Sequence, residues 1–179
     1  VSTVDRVAKR LDVGRYLKKG ADNLLAIRVP PVPRGYYRDD GHTSDDMLWG
    51  WFAAPMTLDL VDWVRVEDVF VSTTHLAKSS AEMRLRIECR NDGLQSFVGK
   101  ARARFYCWLP EESSKPQVEA CWPIRLAPGA TKRLDECLQV AQPRLWTPDS
   151  PNLYKVQVVL EDSQGHAVDD DVLATGIRT

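Results

Sequence analysis

The chain has 179 residues, 44% hydrophobic and 27% charged, a globular composition that excludes disordered and collagen-like classes. Its formal net charge is −1, so no strong field recruits nucleic acid. Asp59, Asp62 and Arg65 break the most apolar region, and no run approaches the ~18 to 20 residues of a membrane span. Without an initiating Met or a charged leader, the chain is expected to be a soluble excised segment whose compartment is not encoded in it.

Residues 11–17, the turn Lys18-Lys19-Gly20 and residues 23–29 read as a turn-rich edge leading into one strand, which Pro30, Pro31 and Pro33 stop. Residues 34–62 show little periodicity and many aromatics. Such a long unpatterned stretch points either to function or to missing partner strands. Residues 1–62 are therefore expected to be the end of a domain whose beginning is absent.

From residue 63 onward the period is two. Residues 63–72 place Val64 and Val66, then Val69 and Val71, on one face, with a bulge expected at Glu67-Asp68. Met83, Leu85, Ile87 and Cys89 alternate with Arg84, Arg86, Glu88 and Arg90, the pattern of a half-buried strand. Asn91-Asp92-Gly93 reads as a turn returning an antiparallel partner, in which Ala101, Ala103, Phe105, Cys107 and Leu109 face one way. Residues 121–126 form a short strand carrying Pro123, which places it at a sheet edge. Residues 131–140, 154–160 and 168–177 complete seven strands, the last two joined by a hairpin at Ser163-Gln164-Gly165. Seven antiparallel strands without helical periodicity predict an all-β, immunoglobulin-like sandwich over residues 63–179. The antibody version is excluded, because the sixth strand has no cysteine. Cys89, Cys107, Cys121 and Cys137 contain no Cys-x-x-Cys pair for a metal. They read as four small buried hydrophobes, with disulfides as the alternative.

Three segments together resemble glycoside hydrolase family 2, whose members include beta-galactosidases, beta-glucuronidases and beta-mannosidases. They are Asp12-Val13-Gly14-Arg15-Tyr16-Leu17 with Asn23-Leu24-Leu25-Ala26-Ile27-Arg28-Val29, then Pro143-Arg144-Leu145-Trp146-Thr147-Pro148-Asp149-Ser150-Pro151-Asn152-Leu153-Tyr154, then Gly176-Ile177-Arg178-Thr179. The resemblance implies that residues 1–62 close a jelly-roll sugar-binding domain and that residues 63–179 are the family's immunoglobulin-like domain. It also implies that two catalytic glutamates lie on a barrel beyond Thr179, so that this segment is a non-catalytic scaffold. Its partners would then be that barrel and the rest of the sugar-binding domain, with no nucleic acid or membrane. The rival reading is a stand-alone carbohydrate-binding or adhesion sandwich.

No catalytic residue, cofactor or metal site is expected in the segment. Retaining hydrolysis needs two carboxyls about 5 to 5.5 Å apart, one with a raised pKa. Glu67, Glu82, Glu88, Glu111, Glu112, Glu119, Glu136 and Glu161 instead fall at outward strand positions or in polar loops and read as solvated. Tyr36, Tyr37, Asp39, Asp40, Trp49 and Trp51 are the sugar-contact candidates, since aromatic faces stack on pyranose rings and carboxylates accept hydroxyl hydrogen bonds. The alternative is that Trp49, Trp51 and Phe52 pack between domains. Trp146, Pro148 and Tyr154 are assigned structural roles, with Trp146 packed in a rigid, proline-rich corner. Asp169-Asp170-Asp171 reads as a solvated run, because consecutive residues of a strand point to opposite sides. His42, His75 and His166 lie far apart and form no triad.

Overall fold

The computed structural model describes residues 11–28 and 56–178, and internal contacts divide the chain between Thr57 and Leu58. Residues 11–28 contain one 3-10 turn, Gly14–Tyr16, opened by Asp12, whose Oδ1 accepts the Gly14 N–H at 2.9 Å. Asn23 closes the next turn. Its Oδ1 accepts from the Lys18 N–H at 2.8 Å, and its Nδ2 donates to the Lys18 and Ala21 carbonyls at 3.0 and 2.9 Å, around Gly20 at φ 70°. The strand expected over residues 23–29 does not form within residues 23–28, where Leu24 and Leu25 are 96% and 69% exposed. A strand exists only through a hydrogen-bonded neighbour, and the described residues give this one none.

Seven strands follow: β1 (Val64–Leu76), β2 (Ser80–Asn91), β3 (Phe97–Leu109), β4 (Val118–Leu126), β5 (Thr131–Ala141), β6 (Leu153–Asp162) and β7 (Ala167–Thr175). They form two antiparallel sheets, β1-β2-β5 and β4-β3-β6-β7. The fourth strand sits beside β3, unlike the constant-type immunoglobulin arrangement in which it joins the first sheet. Each strand turns its apolar alternate toward the gap. Met83, Leu85 and Ile87 from β2 meet Phe105, Ile124, Val156, Val158 and Leu160 from the other sheet, all fully buried. Such burial stabilises by roughly 1.5 to 3 kcal/mol per large side chain.

The Asn91-Asp92-Gly93 turn does not make the expected hairpin: β2 pairs with β1 and β5, and β3 with β4 and β6. Asn91 is the cause. It continues the inward register of Met83, Leu85, Ile87 and Cys89, is fully buried, and ties the end of β2 to the opposite layer. Its Nδ2 donates to the carbonyls of Gln95 (2.8 Å) and Leu126 (3.3 Å), Oδ1 accepts the Gly93 N–H (2.9 Å), and its own N–H reaches the Ala130 carbonyl (2.9 Å). Leu126 ends β4 in the other sheet, so the turn is a crossover between layers.

Three of the four edge strands, β4, β1 and β7, carry features that block further pairing. Pro123 lies on edge strand β4, where the sequence placed it. β1 is bulged between Val66 and Asp68, as expected, and again between Thr73 and His75. β7 carries the acidic run. Asp170 and Asp171 are exposed, but Asp169 is half-buried and its Oδ2 accepts the Val66 N–H at 2.8 Å, which corrects the reading of a wholly solvated run. Asp169 shares the inward phase of Leu173, so its carboxylate reaches the β1 bulge instead of water.

Candidate functional site at the Trp146 corner

Between β5 and β6 the chain makes a self-fastened corner. Gln142 takes a left-handed conformation (φ 47°) and donates its N–H to the Ser79 carbonyl at 2.8 Å. The Arg144 N–H donates to the Tyr154 hydroxyl at 2.8 Å. Tyr154 is buried in the core, and burial raises its phenol pKa, so the backbone partner offsets the cost of dehydrating the hydroxyl. Thr147 and Ser150 exchange backbone hydrogen bonds (3.0 and 3.1 Å) around Pro148-Asp149, and proline's fixed φ suits the first central position of such a turn. Asn152 Nδ2 donates to the Leu145 carbonyl at 2.8 Å and to Ser150 Oγ at 3.0 Å.

This corner grips the last described residues. The Trp146 N–H donates to the Ile177 carbonyl at 2.8 Å, Leu145 bridges Ile177 in parallel, and Ile177 is fully buried. A methyl group on Gly176 would lie 2.8 Å from Trp146 Cβ and 2.9 Å from its Cγ, so only glycine lets the strand pass this close to the indole. The Arg178 guanidinium sits 5.5 Å from the ring centroid, within cation–π range. Trp146 itself is half-buried, Pro148 exposed and Tyr154 buried. The half-buried indole thus packs against Gly176 and lies within cation–π range of Arg178, and part of it meets solvent.

The expected glutamates do lie on the surface, but several are paired instead of merely solvated. Arg102 binds Glu161 (2.7 Å) and Glu119 (2.6 Å), and Arg104 adds Glu119 at 3.4 Å. Arg65 binds Glu67 at 2.8 Å, Arg133 binds Glu88 at 2.9 Å, and Lys155 binds Glu112. Glu82 accepts from the Thr74 hydroxyl at 2.7 Å. Glu111 is exposed and Glu136 partly covered. Hydrogen bonds from Arg102 hold the carboxyls of Glu119 and Glu161 below the ordinary range, Arg84 does so for Asp135, and Arg90 with Arg65 does so for Asp92. Asp162 is lowered by the His166 backbone N–H.

Tyr36, Tyr37, Asp39, Asp40, Trp49, Trp51, Phe52 and His42 lie outside the described residues. His75, on β1, and His166, in the turn between β6 and β7, are both exposed. Among the described residues no group of three or more His, Cys, Asp or Glu could hold a metal ion, and no helix is long and apolar enough to cross a membrane. The four cysteines are free thiols. Only Cys89 is buried; Cys107 is half-buried, and Cys121 and Cys137 are exposed, so the reading of four buried hydrophobes holds for one. Cys121 and Cys137 take the outward phase of β4 and β5, as their register opposite Arg102 and Arg84 requires.

Sequence reading found the two motifs but not their contact, whose signal is a side-chain-free Gly176 placed against an aromatic. It also missed Asn91, whose signal is its phase with the apolar alternate of β2.

A two-layer antiparallel sandwich whose terminal strand is clamped by a Trp-Thr-Pro corner defines an immunoglobulin-like, all-β domain. Residues 64–178 match the family model for glycosyl hydrolases family 2, and the chain belongs to that family. It is 27% identical over 169 residues to a beta-galactosidase of Thermoanaerobacter pseudethanolicus, covering 94% of this chain and 21% of that protein. It is 28% identical over 191 residues to a beta-galactosidase of Photobacterium profundum, covering 97% of this chain and 16% of that protein. The chain thus spans about a fifth or less of the length of these relatives. In fold it is similar to a beta-glucuronidase of Bacteroides uniformis (TM-score 0.59, 22% identity, covering 66% of this chain and 15% of that one). It is likewise similar to a beta-galacturonidase of Eisenbergiella tayi (TM-score 0.55, 23% identity, covering 66% and 19%).

Proposed function

We propose that this chain is a non-catalytic, positioning segment of a family 2 glycosidase that cleaves O-glycosyl bonds with residues outside residues 1–179. The observation that carries the reading is the clamped exit. Trp146, the Leu145–Ile177 bridge and the buried Ile177 hold residues 176–178 against the sandwich, so whatever follows leaves in a fixed direction and not through a flexible linker. Electrostatics agrees with it. A general acid for glycoside cleavage needs a raised pKa, whereas each described carboxyl that departs from its ordinary value is held lower by a cationic or backbone donor. The partners would be a catalytic domain after residue 179 and the remainder of a sugar-binding domain of which residues 1–62 form the end. Within that end Tyr36, Tyr37, Asp39, Asp40, Trp49 and Trp51 would supply any sugar contact.

The test is a paired assay on aryl beta-galactosides, beta-glucuronides and beta-mannosides, comparing this chain with the full-length enzyme that contains it, with sugar-binding calorimetry on the chain. Hydrolysis by the long protein alone is expected. Hydrolysis by the 179-residue chain, or tight saccharide binding by it while the long protein cleaves nothing, overturns the reading and favours a stand-alone binding module.

A further inference from the structure

We propose that Asp92-Gly93 is a latent site of isoaspartate formation and that the Arg65–Asp92–Arg90 clasp, with the Asn91 side chain, keeps it closed. In an Asp-Gly dipeptide the glycine amide nitrogen has no neighbouring side chain to hinder it, so it can attack the aspartate Cγ. A C–N bond forms, the amide proton and the hydroxyl of the protonated carboxyl leave as water, and the resulting succinimide takes water back at either carbonyl. The products are aspartate or isoaspartate, with no oxidant, reductant or other co-reactant.

Both reacting groups are held by other partners here. The nucleophile, the Gly93 N–H, donates to Asn91 Oδ1 at 2.9 Å, and Asn91 is itself fixed from inside the core. The electrophile's oxygens are held separately. Asp92 Oδ1 accepts from Arg90 Nε at 2.8 Å and Oδ2 from an Arg65 terminal nitrogen at 2.9 Å, and Arg65 is buttressed by Glu67 at 2.8 Å. Arg90 and Arg65 hold the carboxyl below its ordinary range, so the neutral acid, the form that loses water, is scarce. The site also matters to the fold. The Asp92 N–H donates to the Trp63 carbonyl at 2.8 Å, and this turn carries the chain between the two sheets. The extra backbone carbon of isoaspartate would displace Gly93 from Asn91 and leave a buried amide without its partner.

The experiment ages the 179-residue chain at neutral pH and physiological temperature, in buffer and in urea, and measures isoaspartate by mass spectrometry in the Lys-specific peptide 79–100. Isoaspartate at Asp92 is expected to form at least about tenfold more slowly in the folded chain than in urea. Arg90→Ala, at a half-exposed position, is expected to speed it several-fold in buffer and not at all in urea, with Arg90→Lys between the two. Added salt screens the pair and should raise the folded rate without any mutation. Equal rates in buffer and urea, or an Arg90→Ala chain that folds by circular dichroism yet ages no faster, overturns the proposal. If that variant does not fold, the buffer-to-urea ratio and the salt series of the unmutated chain decide.

Discussion

Replacing Asn91 with Ala removes the one fully buried polar side chain among the described residues. Three hydrogen bonds go with it, to the Gln95 and Leu126 carbonyls and from the Gly93 N–H. Gln95 is exposed and Gly93 partly so, so water replaces much of those two losses. Leu126 is 1% exposed, and its carbonyl is left dehydrated. Roughly 1 kcal/mol for the two outer bonds together and 1 to 3 kcal/mol for the orphaned carbonyl give a destabilisation of about 3 kcal/mol. For a sandwich of this size that corresponds to a fall in Tm on the order of 10 °C. Urea unfolding followed by tryptophan fluorescence reads it as a lower midpoint at unchanged slope. Asn91→Asp is expected to be worse, because a carboxylate would face two carbonyl oxygens. A loss below about 1 kcal/mol for Asn91→Ala would refute the crossover argument, since it would mean that water reaches this side chain.

Trp146→Ala is expected to cost about 2 kcal/mol, below the ~3 to 5 of a fully buried Trp, because the ring is only half-buried and its backbone bond to Ile177 survives; urea midpoints check it. Gly99→Ala should cost at least ~2 kcal/mol by overpacking, since its methyl would fall 2.0 Å from the Glu161 carbonyl oxygen; a Tm within error of the parent would contradict that contact. In acid, Asp92, Glu119, Asp135, Glu161 and Asp162 have folded pKa values below their unfolded ones. Their contribution is therefore complete above the ordinary carboxylate range and is lost as pH falls through the lowered folded values. Unfolding midpoints measured below that range should drop, and Arg102→Ala should flatten the drop. With a thiol reagent, Cys121 and Cys137 should react first, Cys107 later and Cys89 only on unfolding, because burial shields Cys89 and pushes its pKa up to about 12; rapid reaction of all four would contradict the register of β2, β4 and β5.

The strands were legible because each sheet has one wet face and one dry face, which writes a period of two into the sequence. Even the Glu67 bulge and the edge position of Pro123 followed from local rules. Pairing was not legible. Asn91-Asp92-Gly93 has the residues of a hairpin turn, and only the buried amide of Asn91, which depends on Leu126 in the opposite sheet, turns it into a crossover. Asp169 hid for the same reason: its partner, the Val66 N–H, lies 103 residues away. At the Trp146 corner, local chemistry showed a rigid turn, but the approach of Gly176 is a tertiary contact that no period reports. The strand expected after Asn23 failed because an apolar run states a preference for pairing and supplies no partner.

The most direct test of the proposed positioning role is the kinetics of the longer protein proposed to contain this chain, with the clamp loosened by Trp146→Ala or Gly176→Val, at a temperature where the sandwich remains folded by circular dichroism. The account predicts a lower kcat/KM in both variants, while the isolated 179-residue chain hydrolyses nothing. Unchanged kcat/KM in both folded variants would contradict the claim that the Trp146 corner sets the direction in which the chain leaves the sandwich.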